Sequence, residues 1–213
     1  VYMEEEYTKK EYIDQFIVYQ TKIVDGKYRV VNYVKSMILM MMTPISLYTL
    51  YKFYINDPPS PNFLNLTAAI YASTDLSALA YNPRCHISTI IHHTLVQVFY
   101  YYCYINNFDT TRTLCKPIAI YCCFSTIAYL VNYRLSIRFL KIKKYETMIN
   151  NVSYYIYLNT CILNWIIQLY YLFNGVSISI YERICYILTL AMIINDDIFL
   201  LQFLRKSILI KMG

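Results

Sequence analysis

Long apolar stretches separated by short, sharp breaks constrain this chain more than any other feature. A helix needs about 20 apolar residues, rising about 1.5 Å each, to cross about 30 Å of hydrocarbon. Six stretches approach that length: residues 36–55, 63–81, 87–105, 114–133, 152–173 and 180–204. The breaks are explicit. Asn56-Asp57-Pro58-Pro59-Ser60-Pro61 cannot stay helical, because each proline removes a donor and biases its predecessor away from helix. Asn82-Pro83-Arg84, Asn106-Asn107-Phe108-Asp109 and Asn174-Gly175 carry turn chemistry. The expectation is an all-α fold: a polytopic membrane bundle of about six transmembrane helices.

Composition enters where it tests that reading. Only 15% of the 213 residues are charged, against about a quarter in soluble domains. The 26 tyrosines suit interfacial belts and packed bundle interiors. Residues 1–29 are polar, with no cleavable signal expected there, and residues 30–213 form the membrane domain. Within the polar segment, Tyr12, Ile13, Phe16, Ile17, Tyr19, Ile23 and Val24 recur at helical spacing. That predicts an amphipathic helix on the cytosolic surface.

Basic residues set the expected orientation. With six spans, one side collects Lys9, Lys10, Lys22, Lys27, Arg29, Lys35, Arg84, Arg134, Arg138, Lys141, Lys143, Lys144, Arg205, Lys206 and Lys211. The other holds Lys52, Arg112, Lys116 and Arg183. Positive charge favours the cytosol, so both termini are expected there. The net charge of +6 is then a topology signal, and no nucleic-acid partner is expected. The sequon at Asn151 falls on the cytosolic side, and the one at Asn65 lies almost inside the second run, so neither is expected to carry glycan.

Ionisable residues inside the apolar runs call for an explanation, because burying a charge in a bilayer is costly. They are Asp75 in the second run, His92 and His93 in the third, and Asp196 and Asp197 in the sixth. Asp75 stands six residues before the turn at Tyr81, and His92 six residues after His86. A tight hairpin would bring them to matched depth. Thr89, His93 and Gln97 fall on one stripe of the third run, and Thr160, Asn164 and Gln168 on one stripe of the fifth. Ser125, Tyr129 and Asn132 do so on the fourth. Lipid satisfies none of these groups, so the stripes should turn inward around a polar chamber open to the cytosol.

The stretch from Ala69 to Leu140 resembles the TLC domain family, which includes ceramide synthases and translocating-chain-associating membrane proteins. The resemblance rests on Tyr71-Ala72-Ser73-Thr74-Asp75, then Ser88-Thr89-Ile90-Ile91-His92-His93. Phe124-Ser125 and Val131-Asn132-Tyr133-Arg134-Leu135-Ser136-Ile137-Arg138 follow. It implies a TLC-type fold in an endoplasmic-reticulum-type membrane and a role in lipid binding, lipid homeostasis or membrane composition. In ceramide synthases the His pair is held to be catalytic. The corresponding alternative here is acyl transfer from acyl-CoA to a lipid amine, with His92 and His93 as catalytic residues and Asp75 orienting them. The sequence departs from that subfamily at Cys122 to Thr126, which holds no acidic residue.

Thr89, Gln97, Ser125, Asn132, Arg138, Asn164, Asp196 and Asp197 are the expected substrate-binding residues. The expected partners are membrane lipids, with acyl-CoA as co-substrate for an acyltransferase, and self-association is left open. No metal and no resident cofactor are expected. The chain has three histidines, and adjacent helical positions diverge by about 100°. The seven cysteines lack zinc spacing and read as small packing residues. A proton-coupled carrier using Asp and His would be a further alternative, but no inverted repeat supports it.

Overall fold

A computed structural model describes residues 2–81, 86–137, 143–175 and 178–209, with side chains from Thr21 onward except 143–146, 207 and 209. Among the described residues the only regular structure is helical. The helices are α1 (Tyr2–Tyr54), α2 (Pro61–Tyr81), α3 (Ile87–Ile105), α4 (Cys115–Thr126), α5 (Tyr129–Ile137), α6 (Lys143–Tyr170) and α7 (Ile180–Leu209). A π-helical turn, Tyr171–Gly175, closes α6.

The helix boundaries follow local chemistry. Ser60 caps α2 through the Phe63 N–H, with Pro61 in the first helical position, where a missing donor costs nothing. Asn56 ends α1 in the left-handed region at φ 55°, and the Asp57 N–H reaches back to the Lys52 carbonyl. Asn107 ends α3 in the same way at φ 50°, with the Phe108 N–H bonded to the Cys103 carbonyl. Ser179 and Glu182 form a reciprocal capping box at the start of α7.

The polar segment and the first apolar run are one continuous helix, α1, which passes through Pro44 without ending. The fourth run is divided. Helices α4 and α5 meet at Ile127–Ala128, where i→i+3 bonds from Ile127 to Phe124 and from Ala128 to Ser125 tighten the chain. Carbonyls beside this turn find side-chain donors: Ser36 donates to Tyr129 O at 3.0 Å, and Ser153 to Leu130 O at 3.2 Å.

Four segments are long and apolar enough to cross a bilayer: Thr21–Tyr54, Cys115–Ile137, Thr147–Asn174 and Ile180–Lys206. Helices α2 and α3 form where the expected second and third runs lie. They fall short of the apolarity of a span because they carry Asp75, His92, His93 and several hydroxyls.

Burial is inverted relative to a water-soluble bundle. Gln168, Ser153 and Asp75 are fully buried, while Met41, Leu163, Ile166 and Leu188 are exposed. An apolar exterior around polar contacts is what a bilayer solvent selects, and the four long apolar helices mark a membrane protein. Helix α1 packs on α2, α4 and α5, while α3 and α6 both pack on α7. Three apolar cores form among the described residues. Phe53, Phe99, Tyr121 and Ile193 join the first, Leu39, Met42, Tyr71 and Val96 the second, and Val131, Tyr157, Leu201 and Leu204 the third.

Candidate functional site

Between these cores lies a cavity of about 340 Å³, lined by residues from every helix. Helix α1 contributes Tyr28, Asn32, Lys35 and Leu39, a stripe at i, i+4, i+7 and i+11. Helix α3 contributes Thr89, His92 and His93, and α7 contributes Asp196, Asp197 and Phe199. Aromatic walls come from Tyr71, Tyr121 and Tyr157.

The expected matching of depth holds between α2 and α3. Nδ1 of His93 lies 3.1 Å from Oδ1 of Asp75, whose side chain is only 1% exposed. On α7, Oδ2 of Asp196 lies 3.2 Å from Nδ1 of His92. Neither approach has the in-line N–H geometry of a hydrogen bond, and Oδ2 of Asp75 has no hydrogen-bond partner among the described residues. Thr89 donates to Oδ1 of Asp196 at 3.1 Å. Asp197 accepts from Tyr157 OH at 2.8 Å and from Trp165 Nε1 at 3.2 Å, so both its oxygens are held.

The other expected site residues divide between cavity and scaffold. Ser125, Asn132 and Asn164 line the cavity. Ser125 and Asn132 donate to carbonyls of their own helical segments, Tyr121 O and Ala128 O. Asn164 accepts from Gln168, which also donates to Pro117 O and accepts from Tyr186 OH at 2.5 Å. Gln97 is a clasp between helices, donating at 2.9 Å to Ala72 O of α2. Arg138 lies outside the described residues. Arg134, counted among the charges that set orientation, is buried and bonded to Asn150.

Sequence reasoning passed over Lys35 as a site residue. It counted as a topology charge, yet its ammonium pairs with Asp75 across α1 and α2. The available signal was its setting among Val30, Val31, Val34, Met37 and Ile38, at the start of the first apolar run. Tyr157 and Trp165, which hold Asp197, also escaped notice: Tyr157 shares the face of Thr160, Asn164 and Gln168 but read as one more bundle tyrosine, and Trp165 lies off that stripe.

Chemically, the site combines two imidazoles, two carboxylates and one ammonium on the cavity wall, with the Asp75 carboxylate buried beside His93 and Lys35. A neutral imidazole beside a carboxylate can accept a proton from a bound hydroxyl or amine. Adjacent helical residues diverge by about 100°, yet the rings of His92 and His93 come together, with centroids 5.5 Å apart. Ligand atoms of Asp75, His92 and His93 all lie within 4.8 Å of one another. Divergence along the helix therefore does not keep these two imidazoles apart. Comparison with protein-family models, with curated proteins and with solved structures gives no match.

Proposed function

We propose that this chain is a multi-pass membrane protein that takes the polar head of a lipid into its central cavity. In this reading it acts in lipid binding or the control of membrane composition. The observation that carries the reading is a charged, hydrogen-bonding cavity enclosed by helices whose outer faces are apolar. A volume of about 340 Å³ accommodates a headgroup and the start of a chain. Helices α2 and α3 complete a six-span, TLC-like layout, with Thr89, His92 and His93 of α3 on the cavity wall and Asp75 of α2 against His93. The basic bias of the sequence supports a cytosolic position for both termini. An endoplasmic-reticulum-type membrane follows from the family resemblance.

Lipid retention tests this directly. The full chain is purified in detergent, and the lipids that remain bound are identified by mass spectrometry. An Ala128→Phe variant places a ring into the cavity wall. Wild type should retain a defined lipid class, and Ala128→Phe should retain several-fold less of it at equal folded amount. Identical, unselective lipid profiles would sink the reading.

A second reading is acyl transfer from acyl-CoA to a lipid amine, favoured by the imidazole–carboxylate approaches at His92 and His93. Expression in cells lacking ceramide synthase, beside a His92→Ala, His93→Ala double variant, tests it. Restoration of acylated lipid by wild type alone supports catalysis. Profiles equal to empty vector from both rule out acyl transfer to sphingoid bases.

A further inference from the structure

We infer that Asp75, His92 and His93 form a binding site for a divalent first-row transition-metal ion, with its open coordination positions facing the central cavity. The ligand atoms of the three side chains are mutually within 4.8 Å. Donors on one zinc ion at about 2.1 Å stand about 3.4 Å apart. Side-chain rotations of about an ångström therefore close the shell. Two imidazoles and one carboxylate suit zinc or ferrous iron rather than the all-oxygen shells of calcium and magnesium.

Three further observations point the same way. First, Asp75 is fully buried and its Oδ2 has no hydrogen-bond partner among the described residues, while Lys35 and His93 both approach Oδ1. A buried carboxylate oxygen left without a partner is costly, and a metal ion would satisfy it with the Lys35 pair intact. Second, the surroundings of His92 match the outer partners of a ligating imidazole. Asp196 stands 3.2 Å from its Nδ1, and Thr89 fixes the other oxygen of that carboxylate. Third, the charges do not balance. With neutral imidazoles, the described groups around the cavity set the Lys35 ammonium against Asp75, Asp196 and Asp197. A divalent ion cancels that excess, and burial of uncompensated charge is strongly unfavourable.

Three protein donors with positions left for solvent or substrate are the arrangement of a reactive metal centre rather than a closed structural one. The inference concerns the same cavity as the lipid reading but does not depend on it, since the test contains no lipid substrate. The full chain, without a polyhistidine tag, is stripped with chelator in detergent micelles and titrated with Zn²⁺. Bound zinc is read by elemental analysis after desalting. Co²⁺ is then substituted and its visible absorption recorded. Wild type should hold about one zinc per chain and give the intense visible bands of a low-coordinate cobalt site. His93→Gln and Asp75→Asn should each lose at least tenfold in affinity, while Cys185→Ser, which removes an exposed thiol outside the donor set, should retain it. Thermal melts of each variant separate lost ligands from lost fold. Failure of stripped, folded wild type to bind zinc would overturn the inference whatever the variants do. So would zinc binding that survives in folded Asp75→Asn and His93→Gln.

Discussion

Lys35 on α1 and Asp75 on α2 form an ion pair in which the carboxylate is 1% exposed and the lysine side chain 12%. A buried pair of this kind is weak evidence for net stability, because desolvating two charges offsets most of their attraction. Removing one partner is a different matter. Lys35→Met should destabilise the bundle by about 3–5 kcal/mol, because it strands a buried carboxylate. Lys35→Met with Asp75→Asn should recover most of that loss. Thermal unfolding of the purified single and double variants checks it, and a double variant no better than Lys35→Met would show that the pair is not what couples α1 to α2.

The buried amide of Gln168 joins three elements. It donates to Pro117 O of α4 and to Asn164 of its own helix, and it accepts from Tyr186 OH of α7. Gln168→Leu keeps the volume and removes these bonds, leaving the Tyr186 hydroxyl unpaired in a dry interior. The expected cost is about 1–3 kcal/mol. Adding Tyr186→Phe should cost less on the Gln168→Leu background than on wild type, because the hydroxyl has already lost its acceptor. A double-mutant cycle on melting stability measures the coupling, and strictly additive effects would count against a shared network.

Much of this architecture was legible because bilayer physics writes itself into sequence at coarse grain. The proline cluster at Pro58, Pro59 and Pro61 and the asparagine at Asn107 mark helix ends that the structure shows. The hairpin argument put Asp75 at the depth of the His92–His93 pair from residue counts alone, since helix rise is nearly constant, and the structure brings His93 to it. What escaped depends on packing. Lys35 reads as a flanking charge until α1 is seen to run past it as one helix with Asp75 facing it. The turn at Ile127–Ala128 has no proline or glycine to announce it and is held by donors from distant helices, Ser36 and Ser153. Arg134 looked like a topology charge, and only the contact with Asn150 shows it buried.

The capping box at Ser179 and Glu182 makes a local prediction. The Ser179 hydroxyl accepts from the Glu182 N–H at 3.2 Å, and the Glu182 carboxylate accepts from the Ser179 N–H at 3.0 Å. The other Glu182 oxygen accepts from Tyr102 OH of α3 at 3.0 Å, so the cap also ties α7 to its neighbour. Ser179→Ala should cost about 1 kcal/mol. The loss should appear as faster amide exchange confined to the first turn of α7, with the cavity end of that helix unchanged. Protection unaltered in that turn would mean the box does not fix the helix start.

Gly26 predicts a gain rather than a loss. It lies inside α1, and a methyl group placed there meets no atom within 4 Å. Its backbone does not have positive φ, so alanine fits the conformation already present. Glycine within a helix is less stable than alanine by about 0.5–1 kcal/mol, chiefly because the unfolded chain has more freedom to lose. The position opens onto a lateral groove between α1 and α2, walled by Val30, Val34, Ser73 and Ser77, rather than onto packed protein. Gly26→Ala should therefore raise the melting midpoint by a small, measurable increment without altering the cavity residues. A fall in stability would mean that the groove face of α1 approaches something more closely in the membrane than within the isolated chain, and scanning larger side chains at Gly26 would then map that contact.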